Sequence, residues 1–273
     1  MAAMTPEATG RRRPRVPFPV AFALPLALVE RNARAARHWW LTIVSGFFEP
    51  VFYLFAMGVG IGALVGSVEV DGRMIGYGVF VAPALMATSA MNGAVYDSTQ
   101  NVFWKLRFAK TYDVALSTPM RPTDVAVGEI SWALLRGLLY STAFLGVAAL
   151  GGFVQSWWAL LAIPACTLIG LAFASVGMAA TTYMSAWTHL EYVQLAVLPM
   201  FLFSATFYPL STYPPALQWV VQATPLYHGV DLVRGLLMGD LHVGLLVHVA
   251  YLALFGAFGI WATAKRIELL LLA

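Results

Sequence analysis

The chain has 273 residues, of which 60% are hydrophobic and 11% charged, with a mean hydropathy of +0.75. Soluble domains carry roughly 25% charge and 45–50% apolar residues, so this composition excludes an ordinary water-soluble globule and fits a polytopic membrane protein. The single cysteine, Cys166, excludes an internal disulfide and any multi-cysteine metal or iron–sulfur centre, and the formal net charge of +3 matters less than where the charges fall.

Residues 1–20 read as a basic tail holding Arg11, Arg12, Arg13 and Arg15. Arginines followed by an apolar stretch imitate a twin-arginine export signal, but Pro17, Pro19 and Pro25 interrupt the stretch and membrane spans follow it. Over 21–40 the wheel gathers Glu30, Arg31, Arg34, Arg37 and His38 on one side, with Leu28, Val29, Ala33, Ala35 and Ala36 on the other. That pattern predicts an amphipathic helix lying on the membrane surface before Trp39 and Trp40 anchor the first span; a basic stop that only sets topology is the plainer alternative. Six spans are predicted, at 41–64, 76–98, 125–150, 157–184, 192–207 and 243–264, within a transmembrane domain of 41–266. The segment 208–242 is broken by Pro209, Pro214, Pro215 and Pro225 and reads as apolar chain that dips into the bilayer and returns. Six crossings place the arginines of the tail and interface helix, Lys105, Arg107, Lys110, Arg121, Lys265 and Arg266 on one side. Arg73 and Arg234 reach the other side, and Arg136 lies within a span. Both termini are therefore expected in the cytoplasm of a bacterium, with the chain in its plasma membrane.

The loop 99–124 mixes Phe103, Trp104, Phe108 and Tyr112 with cations, and Thr118-Pro119 should end any helix in it. It reads as a short helix with an apolar side offered to a partner, or as simple interfacial packing. Thr123 is expected to cap the next helix, with Asp124 in its first turn. Intramembrane charges are costly and so are candidate sites: Glu49 beside Pro50, Asp97, Glu129, Arg136 and Glu191. Arg136 is expected to be paired inside the bundle, with Glu129, Asp97 or Glu191 as the carboxylate. On the outer side His228, Asp231 and Arg234 recur every third residue, on one face of a short helix, as an outer gate or a plain hydrogen-bonded cluster.

Several blocks resemble ABC-2-type ABC exporter permeases, above all the nodulation lipo-oligosaccharide exporter subfamily. They are Glu49-Pro50 with Tyr53-Leu54 and Gly58-x-Gly60-x-Gly62; Tyr77 with Phe80-x-Ala82-Pro83 and Ala90-Met91; and Phe103-Trp104-x-x-Arg107-x-x-Lys110-Thr111-Tyr112-Asp113 with Thr118-Pro119. Further along, 199–210 and the block Pro225-Leu226-x-His228-x-Val230-Asp231-Leu232-x-Arg234 match again, although Tyr227 and Gly229 depart from the pattern. The resemblance implies an all-α, six-span permease with an N-terminal interface helix and outer re-entrant helices. It further implies a coupling helix near 110–118 that docks on a separate ATPase, so that Arg107, Lys110, Thr111, Tyr112, Asp113, Thr118 and Pro119 are the expected coupling residues. Expected partners are that ABC ATPase, a second copy or close paralogue, and membrane lipid, with no nucleic acid. No Gly-Lys pair of a phosphate-cradling loop occurs in the chain, so no cofactor is expected here, ATP and Mg being held by the partner. The cargo would be amphipathic: lipid-linked, oligosaccharide or drug-like. A proton- or ion-coupled carrier using Glu49, Asp97 and Glu129 is the competing reading. A membrane enzyme lacks any motif joining nucleophile to base.

Overall fold

In a computed structural model, which describes residues 18–36, 48, 50–70 and 72–272, the chain runs almost entirely through helices. Helix α1 (Phe18–Ala36) is followed by α2 (Pro50–Val65), whose middle, Leu54–Ile61, has π-helical bonding. An antiparallel hairpin, β1 (Ser67–Val70) and β2 (Arg73–Gly76), then leads into the long α3 (Tyr77–Arg107). The short α4 (Thr111–Leu116) precedes α5 (Pro122–Leu150) and α6 (Trp157–Thr181). After these come α7 (Leu190–Leu202), α8 (Pro215–Gln222), α9 (Pro225–Met238) and α10 (Gly244–Leu272).

Four of these, α3, α5, α6 and the Gly244–Arg266 part of α10, are long and apolar enough to cross a membrane. They correspond to the second, third, fourth and sixth expected spans. The first expected span is met by α2 over its second half; residues 41–47 and Glu49 lie outside the described residues. At the fifth, α7 has only 13 residues, about 20 Å of helix against a hydrocarbon core of about 30 Å. Pro199 sits in its last turn, and Phe203 leaves the helical region at φ −111° and ψ 24°.

Three local expectations are corrected. The chain is not purely helical, because residues 67–76 form the hairpin: Gly72 takes φ 77° in its turn and Val70 pairs with Arg73. Helix α3 does not stop near residue 98. Ser98, the last residue of the expected span, and Thr99, the first of the expected loop, return their hydroxyls to the Val95 carbonyl at 3.3 and 2.6 Å, and the helix passes through a π-helical stretch, Asp97–Asn101, and continues to Arg107. The cap of α5 is Arg121, not Thr123. Pro122 occupies the first helical position, and the Asp124 carboxylate accepts the Arg121 backbone N–H at 2.8 Å.

The main core lies where α3, α5, α6 and α9 converge, around Phe80, Met86, Met91, Phe144, Ile169 and Leu237. Helix α10 closes on α6, with Ser175 Oγ donating to the Gly256 carbonyl at 3.1 Å and Thr263 Oγ1 to the Ser175 carbonyl at 2.9 Å. A second core gathers Leu28 of α1, Tyr112 and Ala115 of α4, and Val125, Ala126 and Ile130 of α5. Gly128 allows α1 to approach α5 so closely: a Cβ there would lie 2.9 Å from Leu28 and 3.0 Å from the Pro25 carbonyl oxygen. This second core supports the site at the end of the bundle carrying Lys105, Arg107, Lys110 and Arg121, the basic end; the opposite end carries the hairpin.

Candidate functional site

At the basic end, Glu129 projects from α5 into the second core with only 3% of its side chain exposed. An isolated buried carboxylate is costly, so it collects donors. Lys105 of α3 reaches it at 2.7 Å, Asn32 of α1 at 3.1 Å and Arg31 of α1 at 3.3 Å. Asn32 is itself buried and its Oδ1 accepts from Lys105 at 3.2 Å. Tyr112 of α4 completes the cluster. Burial first, then the negative charge of Glu129, raises its phenol pKa well above the ordinary range, so it stays neutral. One carboxylate thus fastens two other helices, α1 and α3, and α4 packs against the same core through Tyr112.

This arrangement divides the expected coupling residues. Tyr112 is 2% exposed and turned inward, and Arg107 donates to the Met184 carbonyl at 2.8 Å, so both hold the segment from behind. Thr111 is half-buried, whereas Lys110, Asp113, Thr118 and Pro119 are exposed. Val114, absent from the expected set, is 68% exposed on the same face as Asp113. Lys110 adopts left-handed φ 45°, which breaks the chain sharply between α3 and α4. Beside the break, Phe103, Trp104, Phe108 and Trp187 pack ring on ring, with Trp104 and Phe108 stacked at 4.9 Å. The polar face expected of the interface helix is split: Glu30 and Arg34 pair on the surface, while Arg31 and Asn32 turn into the bundle. Arg37 and His38 lie outside the described residues.

Deeper in the bundle, a cleft of about 520 Å³ opens between α2, α3, α5 and α7. Tyr53, Leu85, Val197 and Phe201 supply apolar wall; Thr88, Ser89, Asn92, Gln194 and Tyr140 supply hydroxyl and amide groups. Arg136 also lines it, bonded through Nη1 to Asp97 at 2.6 Å and through Nη2 to the Tyr140 hydroxyl at 3.0 Å. The structure therefore sends Arg136 to Asp97 and Glu129 to α1 and α3. Glu49 lies outside the described residues, although its neighbour Pro50 lines the cleft, and Glu191 is exposed in the first turn of α7.

The hairpin end separates the third trio. His228 and Asp231 of α9 both meet His248 of α10: His248 Nε2 lies 3.0 Å from Asp231, and the two Nδ1 atoms are 2.7 Å apart. With His248 Nε2–H donating to the carboxylate, its Nδ1 can accept from His228 Nδ1–H, so neutral imidazoles can carry the relay. Arg234 turns elsewhere. Its guanidinium lies 4.1 Å over Phe80 and donates to the Ala205 carbonyl at 2.7 Å. His248 was not visible as a member because it comes from another helix, 20 residues on.

The apolar helices make this chain an α-helical integral membrane protein. Residues 26–238 match the family described as ABC-2 type transporter, and the chain belongs to that family: it is a membrane permease component of an ABC transporter, a transport subunit. Curated relatives are similar to the chain along most of their length. Nodulation protein J of Rhizobium leguminosarum bv. viciae is 34% identical over 233 residues, covering 84% of this chain and 88% of that protein. Nodulation protein J of Rhizobium meliloti is 34% identical over 208 residues, 75% of this chain and 78% of the relative. That of Bradyrhizobium diazoefficiens is 31% identical over 243 residues, 86% and 91%.

Proposed function

We propose that this permease exports an amphipathic compound, lipid-linked, oligosaccharide or drug-like, using a separate ABC ATPase that docks on α4. ATP and Mg would be bound by that subunit. The observation that carries the reading is the exposed face of α4, with Asp113 and Val114 outward, held from behind by Tyr112 and the Glu129 network. A docking surface that must transmit force needs rigid support, and buried charge-assisted bonds supply it. The cleft supports the choice of cargo, since apolar and hydroxyl- or amide-bearing side chains line it together.

In the proposed arrangement the chain crosses a bacterial plasma membrane six times, α2 and α7 completing the first and fifth crossings with their neighbouring residues. The basic end and both termini face the cytoplasm, following the distribution of arginine and lysine. Helices α8 and α9 form the outer re-entrant segment. Two copies, or this chain and a close paralogue, would enclose the pathway, in line with the usual preference for twofold assemblies.

The test is affinity purification of the tagged chain from its own host, scored for a co-purifying ATPase and for ATP hydrolysis in reconstituted vesicles. Asp113→Lys and Val114→Asp should weaken ATPase association at least tenfold while leaving the folded permease intact. Uphill transport by the purified chain alone, driven by a proton gradient, would overturn the proposal in favour of a secondary carrier.

A further inference from the structure

A second pocket, of about 460 Å³, lies at the hairpin end, walled by the hairpin, the start of α3, the turn around Ala205, and α8 and α9. It contains charges of both signs. Arg73 of β2 and Asp240 beyond α9 both line it, both are exposed, and among the described residues neither forms a salt bridge. Each is carried on fixed backbone. Arg73 sits in the paired hairpin, whose exit is tied down by Tyr77 N–H donating to the Gly66 carbonyl at 3.1 Å. Asp240 follows the left-handed Gly239 that ends α9, and its N–H donates to the Gly235 carbonyl at 2.9 Å. Arg234, anchored on Phe80 and the Ala205 carbonyl, adds a guanidinium to the wall, and Asp231 is held by His248. A cation and an anion that share a cavity without joining present two separated, complementary points to a ligand.

We propose that this pocket binds a zwitterionic headgroup, its phosphate on Arg73 and its ammonium on Asp240. Guanidinium groups suit phosphate oxygens through paired N–H donors, and a carboxylate suits a primary ammonium. In the membrane arrangement proposed above, the hairpin joins the end of α3 and would bring the pocket to headgroup depth. The chemistry is shared by a phosphatidylethanolamine of the bilayer and by a soluble glycerophosphoethanolamine, and the experiment separates them.

The full chain is placed in nanodiscs of phosphatidylglycerol alone and of phosphatidylglycerol mixed equally with phosphatidylethanolamine, and the unfolding midpoint is measured. A tenfold excess of ligand over its dissociation constant should raise the midpoint by about 3–6 °C in the mixed discs. Asp240→Asn should abolish this preference, and Arg73→Gln should reduce it; both residues are exposed, so both variants are expected to fold. A preference of equal size in the parent chain and both variants would trace it to bulk bilayer properties and overturn the proposal, as would no preference at all. Millimolar glycerophosphoethanolamine is then added to the detergent-solubilised chain. A rise in midpoint that Asp240→Asn removes identifies a soluble headgroup as sufficient, whereas a response confined to the discs assigns the site to the lipid.

Discussion

Both ends of the bundle hold a carboxylate between helices, but with different donors. At the basic end Glu129 is held by Lys105 and Arg31, an ammonium and a guanidinium. At the hairpin end Asp231 is held by His248, which passes the bond on to His228. The first is a permanent clamp joining α1, α3 and α5. The second joins α9 to α10 through imidazoles, and burial lowers the pKa of one of them, His228. The contrast teaches that the same task, holding a carboxylate between helices, is met at one end by flexible cationic side chains and at the other by a relay of rings.

The harshest way to break the comparison is Glu129→Ala. It leaves Lys105 and Arg31 without their buried counter-charge, and removing one member of a buried pair costs on the order of 3–5 kcal/mol. Chemical unfolding of the purified chain should show that loss, and the exchange Lys105→Glu with Glu129→Lys should recover part of it. Next comes Gly128→Leu, which drives a side chain into Leu28 and Pro25; overpacking costs about 1–3 kcal/mol, and α1 should become accessible to protease at the same time. The pH test is milder. Burial, then the neighbouring His248, lowers the pKa of His228 from its ordinary 6.5. The unfolded chain therefore binds this proton more tightly, and stability is complete above 6.5 and declines as pH falls from there toward the lowered folded value. His228→Gln should flatten that slope in unfolding midpoints measured across pH. Asp231 contributes in another window. Burial pushes its pKa up, but the His248 bond and nearby positive charges outweigh this and hold it below 3.8, so its share is lost only as pH falls below 3.8. Smallest is Glu30→Ala, which removes an exposed pair on one turn of α1 and should change stability by under about 0.5 kcal/mol.

Hydropathy alone made α3, α5, α6 and α10 legible, because long uninterrupted apolar runs leave few other structures open. The hairpin was equally legible in principle: Asp71-Gly72 between Ser67–Val70 and Arg73–Gly76 is a hairpin signal, obscured by its place between two predicted spans. The extension of α3 was hidden because the apolar run ends near Ser98 and Thr99, whereas a helix accepts such residues when their hydroxyls return to its own carbonyls. Within the site, single residues were visible and their partners were not. Arg136 and Asp97 stood out as costly charges in apolar surroundings, but spacing left three carboxylates as candidates. Glu129 is met by Arg31 from 98 residues away, and buried Asn32 has no signature that separates it from an ordinary surface amide. Tyr112 shared a motif with exposed Asp113, and only the packing of α4 on α5 divides support from surface.

The unbroken course of α3 has a mechanical consequence. Its stretch from Asp97, beside the cleft, to Arg107, at the turn into α4, measures about 15 Å at the rise of a regular helix. Because the π-helical turn lies at the near end of that rod, it is a natural pivot, and a swing of about 10° there would move the far end sideways by roughly 2–3 Å. In the proposed complex, a lever arm of this length would convert a small rearrangement around Arg136 into a displacement at the turn into α4.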